Sequence, residues 1–214
     1  MKSILIKMLA LITLAILPQL PAKATTLVVL GDSLSAGYGM AQAESWVGIL
    51  QQRWSVSYPD ITLINASISG DTTQGALHRL PGVIARHQPT AVFIELGGND
   101  GLRGFPPTTI ADNLLQIIMQ LQQNNAKVAV SQIRIPPNYG PRYSDMFANV
   151  FPQVAKQADV PLIPFFMETI INNEAYMQND GIHPNRDAQP IIADIMEPYL
   201  LELINQAKSE QNTG

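Results

Sequence analysis

LVVLGDSLS at residues 27–35 decides the architecture: four apolar residues in a row end at Gly31, and polar Asp32, Ser33 and Ser35 follow. Too short for a helix and closed by a turn-forming glycine, the run reads as a strand buried on both faces, as parallel sheets require. Four further runs of the same kind start at Ile61 (ITLI), Ala91 (AVFIEL), Lys127 (KVAVSQI) and Val160 (VPLIP). Successive starts fall 34, 30, 36 and 33 residues apart, enough for one helical crossover in each gap. No side-chain pattern recurs between the units, so the spacing is that of βαβ units and not of a helical repeat.

The gaps carry the helices. Trp46, Ile49, Leu50 and Trp54 form one apolar stripe at helical spacing; Leu77, Leu80 and Ile84 form a second, and Ile110, Leu114, Ile117 and Leu121 a third. Phe147, Val150, Phe151 and Val154 follow, then Ile192, Ile195, Met196, Tyr199, Leu200 and Leu203. Each stripe marks a helix with one buried side. Pro81, Pro152 and Pro198 interrupt three of them, where kinks or shifted boundaries are expected. The expected fold class is α/β, a three-layer α/β/α sandwich on a five-stranded parallel sheet.

A length of 214 residues favours one domain. With 46% hydrophobic and 14% charged residues and a net charge of −4, the chain is neither a disordered segment nor a basic nucleic-acid binder. It has no cysteine, which excludes a disulfide scaffold, cysteine-ligated zinc, a thiolate nucleophile and a lipoprotein anchor. Residues 1–24 have the pattern of a cleaved secretory signal peptide: Lys2 and Lys7, an apolar run over 8–17, Pro18 and Pro21, then Ala22-Lys23-Ala24. That run is short for a membrane span. Its removal takes three lysines and no acid from 13 basic and 17 acidic residues, leaving −7. The expectation is a periplasmic or secreted monomer with its domain at 25–207, a fraying polar tail at 208–214, no membrane anchor and no nucleic-acid partner.

Open α/β sheets bind ligands at the carboxyl ends of their strands. Four loops there carry the chemistry: Gly31-Asp32-Ser33-Leu34-Ser35, the segment 65–71 with Gly70, Gly97-Gly98-Asn99-Asp100, and Asp180-Gly181-Ile182-His183-Pro184. A serine attacks a carbonyl only when a base takes its proton, and imidazole is the usual base. Of three histidines, His78 and His87 lie in a helical pattern without an acid or serine in a matching loop and read as surface residues. His183 has Asp180 three residues before it, close enough for one turn to set carboxylate against imidazole. By itself the segment serves equally as an Asp-Gly turn before a proline-started helix.

Gly-Asp-Ser is equally open to a turn with a capping serine. Neither phosphate-loop pattern occurs there, no cofactor motif is present, and the G-x-S-x-G elbow of α/β-hydrolases is missing. Oxyanion donors are available in the Ser33 amide, the Gly70 amide and the Asn99 side chain. Asp32, Asp100, Asp180 and His183 form a conceivable metal set, but one that leaves Ser33 and Gly70 without a role; no metal and no cofactor are expected.

The blocks GDSLS, SISGDT, GGND and DGIHPN, holding Ser33, Gly70, Asn99 and His183 in that order, resemble the four signature blocks of the SGNH (GDSL) hydrolases. The likeness extends through SAGY at 35–38, ELGGNDGLRG at 95–104, NYG at 138–140, PFFME at 164–168 and DGIHPNRDAQP at 180–190. It implies a flavodoxin-like three-layer fold and a Ser33-His183-Asp180 triad. It also implies an oxyanion hole of the Ser33 and Gly70 amides with Asn99, and broad hydrolysis of thioesters and carboxylic esters. Gly39 stands where the family pattern leads one to expect a bulkier residue, and the helix over 44–58 carries no family motif.

Leu102, Phe105, Ile135, Pro136, Pro137, Tyr139, Phe165 and Phe166 flank the site in loops and suit a small-molecule acyl ester or thioester. Of these, Leu102, Phe105, Ile135, Pro136 and Tyr139 are the expected substrate contacts. Gly101 and Gly104 bracket a loop able to move over substrate, and Arg103 is expected in solvent. A carbohydrate or peptidoglycan O-deacetylase on the same fold and a non-catalytic acyl-lipid binder are the alternatives. The complete set of polar groups disfavours the binder, and the scarcity of sugar-stacking aromatics the deacetylase.

Overall fold

The computed structural model describes residues 25–211. The leader expected at 1–24 and the last three residues of the tail lie outside the described residues. In chain order the elements are β1 (Thr25–Gly31), α1 (Ser33–Ala36), α2 (Trp46–Ser57), β2 (Ile61–Asn65), α3 (Thr73–His87), β3 (Ala91–Glu95), α4 (Gly98–Leu102) and α5 (Pro107–Gln123). Then come β4 (Lys127–Ser131), α6 (Pro141–Ala148), α7 (Val150–Ala158), β5 (Leu162–Ile163), α8 (Met167–Ile170) and α9 (Gln189–Gln211). Among the described residues no helix is long and apolar enough to cross a membrane.

All five strands pair in parallel, in the order β2-β1-β3-β4-β5. The residues that announced the sheet are its centre: every residue of β3, and all but one of β1, is buried. β5 is shorter than the VPLIP run suggests. Its ladder is Val130 N–H to Pro161 O (3.0 Å) and Gln132 N–H to Ile163 O (2.8 Å), and the flanking Pro161 and Pro164 have no N–H to extend it.

Helices α2 and α9 cover one face of the sheet, and α3, α5 and α7 the other. The motif-free helix α2 is structural. Trp46, Leu50 and Trp54 are buried, each contributing about 2 kcal/mol of transfer free energy. The Trp46 amide donates to Gln189 Oε1 (2.9 Å) and the Trp54 indole to Glu197 Oε1 (2.7 Å), tying α2 to α9.

Three differences from the expected helices follow from local chemistry. The stripe from Phe147 to Val154 belongs to two helices, α6 and α7, broken at Asn149. Pro152 cannot donate to the carbonyl of Ala148, so a single helix would be interrupted there, although all four stripe residues are buried. Pro81 and Pro198 lie inside α3 and α9 without ending them. Helix α9 runs on past Lys208 to Gln211, with Glu210 paired to Lys127 of β4.

In this strand order the chain leaves β1 in one direction to β2 and returns past it to β3, so the crevice between β1 and β3 is the switch point where such sheets bind ligands. Register places Gly31 beside Glu95, bringing both strand ends level.

Candidate active site

Gly31 ends β1 because nothing larger fits: a Cβ there would lie 2.9 Å from Ser35 Cβ and 2.9 Å from Ser67 Oγ. Asp32 then caps the short helix α1, its Oδ1 accepting from the Leu34 amide at 3.1 Å. The cap puts Ser33 at the first helical position, facing the crevice. Ser33 Oγ lies 2.9 Å from His183 Nε2, and His183 Nδ1 lies 2.6 Å from Asp180 Oδ2. Asp180 Oδ1 accepts from the amides of Ile182 (2.9 Å) and His183 (3.0 Å), a turn made possible by Gly181 at φ +67°.

Burial works against ionisation of Asp180, but the His183 amide and imidazole and the Ile182 amide outweigh it and hold the carboxyl down at about 2. An ionised Asp180 accepts from Nδ1–H, which assigns the tautomer whose Nε2 can receive the Ser33 proton.

The third strand supplies Asn99. Gly97, at φ +115°, turns the chain into α4, and Asn99 Nδ2 donates to Asp32 Oδ2 at 3.0 Å. Asp32 is therefore shared between the serine helix and the asparagine. Its burial pushes the carboxyl up to about 6, opposed by the Leu34 amide, Asn99 and His183. Beneath it lies Glu95, fully buried, with Ser35 Oγ donating to Oε2 at 2.7 Å and Oε1 without a partner among the described residues. Burial first, and then the charge on Asp32, push Glu95 well above the ordinary value of 4.5.

Gly70 comes from the β2 side. The Ile68 amide donates to Gly31 O (3.1 Å) and Asn65 Nδ2 to Ser35 O (2.8 Å), drawing this loop against α1. Gly70 has φ +81° with open space where a Cβ would stand. Arg103, expected in solvent, is exposed but not idle: Nη2 donates to Gly70 O at 3.1 Å and links the third loop to the second. Asp100 turns away from the crevice, accepting from the Thr73 amide (2.9 Å) and hydroxyl (2.6 Å). The metal set that included it is thereby taken apart. Among the described residues no three acids or histidines stand close enough together to share an ion.

A cleft of about 290 Å³ opens from Ser33, Asn99 and His183 toward the β5 edge of the sheet. Its wall is mainly apolar: Leu34, Leu102, Ile133, Ile135, Met167 and Ile171.

The sequence signature of the GDSL-like Lipase/Acylhydrolase family matches residues 29–189. The chain belongs to that family. It is 50% identical over 184 residues to thioesterase 1/protease 1/lysophospholipase L1 of Escherichia coli K12, covering 86% of this chain and 87% of that one. It is 46% identical over 198 residues to an arylesterase of Vibrio mimicus, covering 92% and 99% of the two chains. The fold matches the crystal structure of the psychrotrophic esterase EstA of Pseudoalteromonas sp. inhibited by monoethylphosphonate. That match has a TM-score of 0.82 at 48% identity, over 85% of this chain and 99% of the other.

In this GDSL-like acylhydrolase the expected polar residues Ser33, Asp180, His183 and Asn99 meet at one sheet edge, and Gly70 sits on the neighbouring loop. The expected apolar contacts divide. Leu102, Ile135, Pro136, Pro137 and Phe165 line the cleft, whereas Phe105 and Tyr139 do not.

Tyr139 turns its hydroxyl onto Leu102 O (2.8 Å), and Tyr143 donates to Phe105 O (2.7 Å), so these residues fasten the loop over 101–104 from outside. Phe166 is buried in the core, 5.9 Å from Trp46 ring to ring. Gly39 holds φ +76°, a backbone that disfavours the bulkier residue expected there. His78 is exposed and His87 half-buried on α3, away from the crevice. Sequence reading missed Leu34, Ile133, Met167 and Ile171; the last two stand one turn apart at α8, a spacing that marks a shared face.

Proposed function

We propose that this acylhydrolase is a serine esterase acting on carboxylic esters and acyl thioesters of small molecules, with Ser33, His183 and Asp180 as its triad. One observation carries the reading: an unbroken line from Asp180 Oδ2 to His183 Nδ1 (2.6 Å) and from His183 Nε2 to Ser33 Oγ (2.9 Å), ending in an apolar cleft. His183 takes the Ser33 proton as Oγ bonds to the acyl carbon, and Asp180 stabilises the imidazolium. The oxyanion that forms meets the Ser33 and Gly70 amides and the remaining Asn99 amide hydrogen. As the carbonyl re-forms, His183 gives the proton to the departing alcohol or thiol, leaving an acyl-serine. Water, deprotonated by His183, releases the acid and restores Ser33.

Relatives named as thioesterase, lysophospholipase and arylesterase support this substrate range. The pattern in residues 1–24 supports export and cleavage near Ala24, with the reaction outside the cytoplasm. The test is Ser33→Ala, expected to lower turnover by about 10⁴ with the fold intact, together with labelling of Ser33 and no other serine by an active-site phosphonate. Near-normal turnover in Ser33→Ala would end the serine mechanism.

A further inference from the structure

His183 is held at both nitrogens, by Asp180 on one side and Ser33 on the other. Both contacts act at the edge of the ring and resist out-of-plane motion only weakly. A contact on the ring face resists it directly. Tyr38 supplies one: its ring stacks on His183 with centroids 4.2 Å apart and planes at 30°.

Nothing in the core places Tyr38, which is 48% exposed. Its backbone is held instead. The Tyr38 amide donates to Ser33 O (3.2 Å), and Gln178 Nε2 donates to Tyr38 O (2.8 Å). The same Nε2 donates to Pro184 O (3.1 Å), and the Gln178 amide donates to His183 O (2.8 Å). One glutamine thus spans the turn after α1 and the turn that carries the imidazole. Gly39 fits beside it: a Cβ there would meet Gln178 Oε1 at 3.0 Å. Neither Tyr38 nor Gln178 lines the cleft.

We propose that Tyr38, anchored by Gln178, is a positioning residue for His183, fixing the plane of the imidazole and favouring the imidazolium formed when Ser33 loses its proton. This rests on the reading of His183 as the base. The stacked ring presents its negative π face to a developing cation. The other groups facing His183 are Asp180 on its own turn, Ser33 on α1 and the Asp32 carboxylate at the base of α1. Both carboxylates act equally in variants of Tyr38, so a change there reports the ring.

The experiment compares kcat, KM and the pH profile of kcat/KM for wild type, Tyr38→Phe, Tyr38→Ala, Gln178→Glu and His183→Ala, using a soluble p-nitrophenyl ester. Tyr38→Phe keeps the stack and should keep wild-type kinetics. Tyr38→Ala should lower kcat about tenfold with KM unchanged and move the acid limb down by about half a pH unit. Gln178→Glu keeps the size and loses both side-chain donor bonds; it should lower kcat by a similar factor. Wild-type kcat and acid limb in Tyr38→Ala, beside an inactive His183→Ala, would overturn this inference alone. So would a loss that leaves the acid limb in place and is equally deep in Tyr38→Phe. Activity surviving in His183→Ala would instead remove the base assignment, and this inference with it.

Discussion

Asn99 Nδ2 donates to Asp32 Oδ2 at 3.0 Å, so the residue that caps the serine helix also orients the asparagine across the crevice. One hydrogen of the Asn99 amide is used in that bond and one remains. Asn99→Ala should therefore act in the transition state, lowering kcat by about 10² to 10³ with KM close to wild type. Steady-state kinetics decide it; a change confined to KM would make Asn99 a substrate-binding residue.

Acidity should inactivate through the imidazole and not through the carboxylate behind it. Asp180 is held at about 2, below the ordinary value of 3.8, so its contribution to the order of the turn is complete above about pH 4 and fades only as pH falls toward 2. The acid limb of kcat/KM should accordingly not report Asp180: activity rises as the catalytic base gives up its proton, and Asp32, raised by burial to about 6, adds its own ionisation to that limb. Chelators should have no effect. Loss of activity in EDTA, restored by a divalent ion, would require a metal mechanism.

Glu95 offers a stability test. Its folded value is raised by burial, so folding takes up a proton and stability falls as pH climbs above the ordinary 4.5 toward the raised value. Glu95→Gln keeps the shape and carries no charge. The stability of Glu95→Gln relative to wild type, read from thermal or denaturant unfolding, should rise as pH climbs from about 4.5 toward the raised value, by up to about 1.4 kcal/mol per pH unit. A pH-independent difference would mean that Glu95 is ionised in both states.

Acyl-chain length should separate an esterase from a deacetylase. Each methylene buried along Ile133, Ile135, Met167 and Ile171 contributes up to about 0.8 kcal/mol, a few-fold in kcat/KM. Rates on p-nitrophenyl esters should climb from acetyl to octanoyl and then level off. Ile135→Ala should flatten that climb, whereas Phe105→Ala, outside the cleft, should leave it intact. Equal rates for acetyl and octanoyl esters would remove the cleft as the acyl site, and a strict acetyl preference would favour the deacetylase.

What the sequence determined by itself is whatever depends on neighbours along the chain. Apolar runs of strand length at intervals of 30 to 36 residues dictate a parallel sheet, and a parallel sheet brings the loops that follow its strands, with Ser33, Gly70 and Asn99, to one edge. Asp180 and His183 were legible as a pair because three residues suffice to close the turn between them. The break at Asn149 was legible only as a hazard at Pro152, since a proline specifies the lost bond but not where the chain bends.

The tertiary structure alone decided where the loop side chains point. Phe105 and Tyr139 have the composition of an acyl wall, yet neither lines the cleft: the Tyr139 hydroxyl is spent on Leu102 O, and Tyr143 holds the backbone carbonyl of Phe105. Arg103 meets Gly70, and Tyr38 meets His183, across separations for which the chain carries no periodic signal. Periodicity and turn chemistry are local, and a linear reading recovers them. The direction of an exposed side chain is set by whichever backbone carbonyl or ring the fold brings within reach, and that depends on all the loops together.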